Sequence, residues 1–313
     1  MKPAIIFDPG YDYGRGLPGL PRQIHGFLRK KPSLIRQALL ASGKVGVADF
    51  SSPESVELDD LAAVHTPAVI DALRSSKSVS QAVELLPLAW LPSALVRHIV
   101  VNPQLKAAGG TCAALAFAAE GRWAFNLSGG YHHARPDLSH GFCLVADVAL
   151  AVHRLRAVGK RPRVLVLDLD LHQGDGNAAA FAGDDEVFTA SMHEDAVFPF
   201  PKLQSDLDVA LASNLGDAAY LKQLDYCLAT IALRFEPEIL VYIAGSDPFE
   251  DDPLGSLRIS REGLVERDRR VAQFAQRHGA ALVALTAGGY SEASPSITAE
   301  GYLVMMGVLG ADA

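Results

Sequence analysis

The sequence predicts an α/β fold: a central, mainly parallel β-sheet covered by helices on both faces. Three observations carry this. Short continuous apolar runs rich in Val, Ile and Leu mark strands buried on both sides. Longer amphipathic stretches separate these runs, as crossover helices do. Polar, glycine-flanked clusters follow several of the runs, where open parallel sheets bind ligands at the carboxyl ends of their strands.

The first strand is expected at Ala4–Phe7. The following ~100 residues show weaker periodicity, so boundaries there are loose. Further strands are expected at Trp123–Leu127, Val164–Leu169, Val187–Ser191, Ile239–Ile243 and Leu282–Leu285. Helices are expected at Gln104–Glu120, Phe142–Val158, Ala218–Phe235, Arg261–His278 and Ser294–Val308. With no linker, low-complexity tract or internal repeat, residues 1–313 read as one domain.

The chain is 49% hydrophobic and 20% charged, an ordinary globular composition, and its net charge of -8 argues against a general nucleic-acid-binding surface. Cys112, Cys143 and Cys227 are odd in number and form no CxxC pair, which suits buried thiols in a reducing compartment. The N-terminal apolar run is too short for a signal peptide, and no run approaches the ~20 residues of a membrane span. The expectation is a cytoplasmic protein.

The densest chemistry follows the strand at Val164. Asp168, Asp170 and His172 stand at alternate positions, so an extended chain would present all three on one face. Gln173-Gly174-Asp175-Gly176 continues the polar run. Three other expected strands end similarly, in Ser128-Gly129-Gly130-Tyr131-His132-His133, Ala244-Gly245-Ser246-Asp247 and Thr286-Ala287-Gly288-Gly289-Tyr290. One such strand end is unremarkable; four together predict a shared cleft.

The simplest assembly there is one divalent metal held by Asp170, His172 and Asp247, leaving room for water and a substrate oxygen. Zinc suits this donor set, and iron(II) or manganese is compatible with it. Two carboxylate ligands leave a modest Lewis acid, so other groups must help stabilise an oxyanion. The adjacent His132 and His133 can supply a general base and an electrostatic partner, with Asp168 and Asp175 each accepting an Nδ1–H from one of them. Tyr290 can donate its hydroxyl to the polarised oxygen from the side opposite the metal.

These stretches, with Gly141-Phe142-Cys143 and Asp252-Pro253-Leu254-Gly255, resemble the zinc-dependent histone deacetylases of the arginase/deacetylase superfamily. The resemblance covers roughly residues 104 to 310. Gln173, Gly255 and Leu91-Pro92 lean toward the class IV branch and its bacterial relatives. It implies a single-domain, arginase-like fold and hydrolysis of an acyl group from the lysine ε-amine. Asp170, His172 and Asp247 would be the metal ligands, with His133 as base and acid, His132 as electrostatic support and Tyr290 as oxyanion donor. A structural potassium ion would sit among Asp168, Asp170, His172, Ser191 and Met192. Gly141 and Phe142, with Tyr131 or Phe200, would line the tunnel for the lysine stem, and Cys143 would be a packed thiol nearby.

Asp252 would order the loop after Asp247, or belong to a solvated run Glu250-Asp251-Asp252. The segment Arg22-Gln23-Ile24-His25-Gly26-Phe27-Leu28-Arg29-Lys30-Lys31-Pro32 only loosely matches the family's. Arg29 and Lys31 are its candidates for a basic residue at the end of the acyl pocket, but the run reads as solvated. Competing readings keep the site and change the substrate to an acetylpolyamine, another small amide or a long-chain acyl-lysine. A further alternative is a non-catalytic acyl-lysine-binding scaffold. Nucleotide-binding folds fail for want of a G-x-G-x-x-G opening a helix or a G-x-x-x-x-G-K.

Overall fold

The computed structural model describes residues 2–14, 23–24 and 27–310. Among these, the strands are β1 (Ala4–Ile6), β2 (Gln23–Ile24), β3 (Phe27–Leu28), β4 (Phe50–Ser51), β5 (Ala124–Asn126), β6 (Val164–Asp168), β7 (Val187–Glu194), β8 (Leu207–Leu211), β9 (Ile239–Ile243) and β10 (Ala281–Leu285). The α-helices are α1 (Lys31–Ala41), α2 (Pro67–Ala72), α3 (Ser76–Ala82), α4 (Ser93–Val96), α5 (Asn102–Ala118), α6 (Asp147–Ala157), α7 (Asp175–Ala180), α8 (Asp217–Arg234), α9 (Arg261–Arg277) and α10 (Ser294–Gly310). Arg22, His25 and Gly26 of the basic segment lie outside the described residues.

Eight strands form one parallel sheet in the order β4-β1-β5-β10-β9-β6-β7-β8, while β2 and β3 make a small antiparallel pair. This is the α/β class the sequence predicts. The central strands are buried throughout, and their alternate residues enter two different cores. Leu165 and Leu167, Leu240 and Tyr242, and Leu282 and Ala284 pack with α1, α8, α9 and α10. Val164 and Val166, Val241 and Ile243, and Val283 and Leu285 pack on the other face with α5 and α6. Each fully buried aliphatic side chain contributes about 1.5–3 kcal/mol of transfer free energy, so the two-sided pattern fixes the sheet's register.

The two main-sheet strands the sequence reading missed, β4 and β8, are the sheet's edges. The Leu207-Asp208-Val209-Ala210-Leu211 run alternates between exposed and buried positions, so it lacks the continuous apolar signal of a central strand. The helix expected from Phe142 starts at Asp147 instead. Gln104 holds the preceding segment out of the helix, donating to Phe142 O at 2.8 Å and accepting from Leu144 N–H at 2.9 Å. In the irregular N-terminal part, Val56, Leu61, Ile70, Val79 and Leu88 form a satellite core with Leu105, Leu144 and Leu150. No helix among the described residues is long and apolar enough to cross a membrane.

Candidate active site

Four strand ends meet because β5, β10, β9 and β6 are consecutive in the sheet. Beyond β6 the alternation persists: Leu169 and Leu171 stay in the core, and Asp170 and His172 are brought toward Asp247 beyond β9. Ligand atoms of Asp170, His172 and Asp247, all three buried, lie within 4.8 Å of one another. The His172 Nδ1 is 3.3 Å from Asp170 Oδ1 and 3.2 Å from Asp247 Oδ2. Backbone donors orient the carboxylates: Gly288 N–H donates to Asp170 Oδ2 at 2.9 Å and Leu171 N–H to Asp247 Oδ1 at 3.0 Å.

This donor set fits a divalent cation. Burial and the charge of Asp170 push the Asp247 carboxyl pKa up, a repulsion that a cation between them removes. The backbone is also cut away around the pair. A Cβ at Gly288 would sit 2.4 Å from Asp247 Oδ2 and 2.5 Å from Asp170 Oδ2, so only glycine fits there.

Next to this cluster stand two imidazoles whose ring centroids are 4.0 Å apart. The His132 Nδ1 is 2.8 Å from Asp168 Oδ2, and the His133 Nδ1 is 2.7 Å from Asp175 Oδ1. His140 Nε2 stands 2.9 Å from the other Asp175 oxygen. The two rings are driven apart electrostatically. Burial disfavours charge on His132, but Asp168 and Asp170 outweigh it and push its pKa up to about 9. Burial and the neighbouring His132 pull that of His133 down to about 3, against the pull of Asp175. One imidazole carries charge while its neighbour stays neutral, a division suited to an electrostatic partner beside a base.

The loop bearing both histidines is fixed by Asp147, a residue the sequence reading passed over. Its carboxylate accepts from Gly130 N–H at 2.9 Å, Tyr131 N–H at 2.9 Å and the Thr111 hydroxyl at 2.6 Å. Its position near the expected helix start was the available signal. Asp252 is buried and outside the solvated-run reading. Its Oδ2 accepts from Tyr290 N–H at 2.7 Å and Ser291 N–H at 3.2 Å, and its Oδ1 from Leu254 N–H at 3.1 Å.

Tyr290 faces Phe142 with ring centroids 5.8 Å apart. Both line a cavity of about 80 Å³ that also touches Tyr13, Lys31, Tyr131 and His132. Burial of Cys143 pushes its thiol pKa well up, as for a packed, neutral group. Lys31 and Arg29 correct the solvated reading of their run, since both are buried. Lys31 Nζ donates to Gly288 O at 2.6 Å and Ala287 O at 3.1 Å, while Arg29 donates to Tyr13 O at 2.9 Å. Burial lowers the Lys31 pKa to about 8, against the pull of Asp247 and Asp170.

Phe200 is 70% exposed, with Lys202 Nζ 5.1 Å from its ring centre, and Phe198 stands edge-on to His133 at 4.9 Å. Gly141 packs between His133 and Phe198. Asp168 and Ser191 are register partners on β6 and β7, Met192 is buried beside Ser191, and the Ser191 hydroxyl is 2.9 Å from His193 Nδ1.

Comparison with known proteins places the whole chain. Residues 25–304 match the histone deacetylase domain. Histone deacetylase 2 of Arabidopsis thaliana is 33% identical over 302 residues, spanning 96% of this chain and 77% of that protein. In fold, the chain is similar to the crystal structure of an HDAC homologue from Aquifex aeolicus. That match has a TM-score of 0.75 and 22% identity, over 98% of this chain and 84% of the other. An acetylpolyamine aminohydrolase from Burkholderia pseudomallei shares the fold with a TM-score of 0.70 and 22% identity, over 96% of this chain and 98% of that one. With a family match over residues 25–304 and a relative 33% identical across 96% of its length, the chain belongs to the histone deacetylase family.

Proposed function

We propose that this protein is a metal-dependent deacylase that hydrolyses the amide bond of Nε-acyl-lysine. The observation that carries this is the pairing of the Asp170–His172–Asp247 cluster, its ligand atoms within 4.8 Å, with His133 held by Asp175 at 2.7 Å. Asp170, His172 and Asp247 would hold a zinc ion, which would supply Lewis acidity at this end of the site. His133 has its Nδ1 committed to Asp175, which leaves Nε2 to take the proton of the attacking water and return it to the departing amine. His132 adds positive charge beside the cluster, and the Tyr290 hydroxyl donates to the developing oxyanion. Gly141, Phe142 and Phe198 form the walls for the lysine stem, and Tyr131 lines the inner cavity.

A potassium ion held near Asp168, Asp170, His172, Ser191 and Met192 is part of this reading, supported by the facing positions of Asp168 and Ser191 on neighbouring strands. So is a reducing, cytoplasmic setting, supported by the free cysteines Cys112, Cys143 and Cys227.

The test is hydrolysis of a lysine peptide series bearing acetyl, butyryl, octanoyl and myristoyl groups. Zinc-loaded protein is run beside Tyr290→Phe, a chelated sample and acetylspermidine as the small-amide control. Turnover of a peptide that requires both metal and Tyr290 supports the reading. Turnover of acetylspermidine alone replaces the substrate with a polyamine. No turnover of any substrate by metal-loaded protein sinks the deacylase.

A further inference from the structure

We propose that Arg267 is a positioning residue for the metal centre, a buried guanidinium that bridges the ends of β6 and β9 and so sets Asp170 against Asp247. The inference rests on the metal-centre reading above. Arg267 is 1% exposed and is the largest of the fully buried side chains among the described residues. Its Nη1 donates to Gly245 O at 2.6 Å and to Leu169 O at 3.3 Å. Leu169 immediately precedes the ligand Asp170, and Gly245 lies two residues before the ligand Asp247. Both carbonyls lie just past the strand ends, where the ladder between β6 and β9 has stopped. One side chain on α9 therefore fastens together the two segments that must present their carboxylates at a fixed spacing.

The guanidinium is itself held rigidly. Its Nε and Nη2 are each 2.9 Å from Asp268 Oδ1, which also accepts the Tyr242 hydroxyl at 2.5 Å. The guanidinium carbon lies 5.6 Å from the centre of the Tyr242 ring. On the far side, α10 closes on Asp268 so tightly that a Cβ at Gly301 would come within 1.9 Å of Oδ2. A buried ion pair of this kind contributes little stability compared with apolar packing of the same volume. What an apolar side chain cannot do is donate to two carbonyls on separate strands. A lysine ammonium has only one nitrogen, so it could not hold the carbonyls while also being fixed on Asp268, as Nε and Nη2 fix the guanidinium.

The experiment measures cobalt(II) binding to metal-free Arg267→Lys and Asp268→Asn proteins, by competition with a fluorescent chelator and by the visible d–d spectrum. Folding is checked by circular dichroism and thermal melting. Folded variants whose dissociation constants rise about 10–100-fold, the scale for losing a residue that orients metal ligands, with an altered d–d spectrum, support the inference. Should Arg267→Lys fail to fold, Asp268→Asn, which keeps the arginine but loosens its anchor, decides by the same readouts. A lower melting temperature with wild-type affinity and spectrum reduces Arg267 to a packing residue and overturns the proposal. Wild-type protein that takes up no cobalt or zinc overturns the metal-centre reading, and this inference with it.

Discussion

The Asp252 carboxylate accepts the backbone N–H of Tyr290 at 2.7 Å, tying the loop after β9 to the loop after β10. The same oxygen takes the N–H of Ser291, so two successive donors beside the tyrosine converge on one acid. Burial and the charge of Asp247 push the Asp252 pKa up to about 7. The tyrosine ring is thus aimed through its own backbone.

Asp252→Ala is expected to lower turnover by about 100-fold, the cost of displacing a catalytic group by roughly 1 Å, while zinc content stays at wild-type level. Steady-state kinetics beside metal analysis checks this. Wild-type turnover in the variant would separate the loop anchor from catalysis.

Tyr290→Phe removes only the hydroxyl. Metal binding should be unchanged and kcat should fall by about 100-fold or more, as when one oxyanion donor is lost. Near-normal kcat would remove Tyr290 from the mechanism.

Asp170→Asn deletes one charge from the buried cluster beside the His172 Nδ1. Metal content by mass spectrometry should fall toward zero. In the wild type, chelation should abolish turnover and added zinc should restore it; stoichiometric zinc in Asp170→Asn would shift the ligand set elsewhere.

The histidine pair predicts opposite titrations in metal-free protein. His132, raised to about 9 by Asp168 and Asp170 against burial, contributes stability that is full below about pH 6.5 and is lost as pH rises toward 9. His133, lowered to about 3 by burial and His132, acts in the other direction. The unfolded chain takes up its proton first, so stability falls as pH drops from about 6.5 toward 3. Imidazole titration by NMR should show the two rings on opposite sides of the ordinary histidine value; two normal curves would falsify the assignment.

Gly141 has φ +53°, and a Cβ there would lie 2.6 Å from the His133 ring and 2.8 Å from Phe198. Gly141→Ala must therefore move His133 or its wall. A loss of about 100-fold in kcat/KM with metal retained is expected. Unaltered kinetics would place the substrate path on another side of His133.

The parts of the site visible in the sequence are those encoded locally. Asp170 and His172 stand two residues apart after an apolar strand, and His132 and His133 are adjacent, so spacing alone suggests chemistry. Asp252, Lys31 and Asp147 were obscure because their partners are remote: Asp252 serves a backbone 38 residues away, and Lys31 reaches carbonyls 256 and 257 residues away. Before those partners are known, the Lys-Lys-Pro run reads as solvated, and the acidic run around Asp252 reads equally as a loop anchor or as solvated. In the fold, central strands advertise themselves through continuous apolar runs, whereas the edges β4 and β8, one very short and the other half-exposed, do not.

The placement of β10 between β5 and β9 also bears on how the chain is made. A ribosome delivers β10 after every other strand, yet it fills the middle of the sheet. Until residues 281–285 emerge, β5 and β9 have no partner on their facing edges, and Tyr290 is still unsynthesised. The nascent protein thus carries Asp170, His172 and Asp247 before it owns the strand that locks them into a common frame. Assembly of a working centre is a late event governed by long-range pairing, the slow class of folding step. A chain stopped before β10 would expose two apolar strand edges at its heart, which marks it for aggregation or degradation ahead of any partial activity.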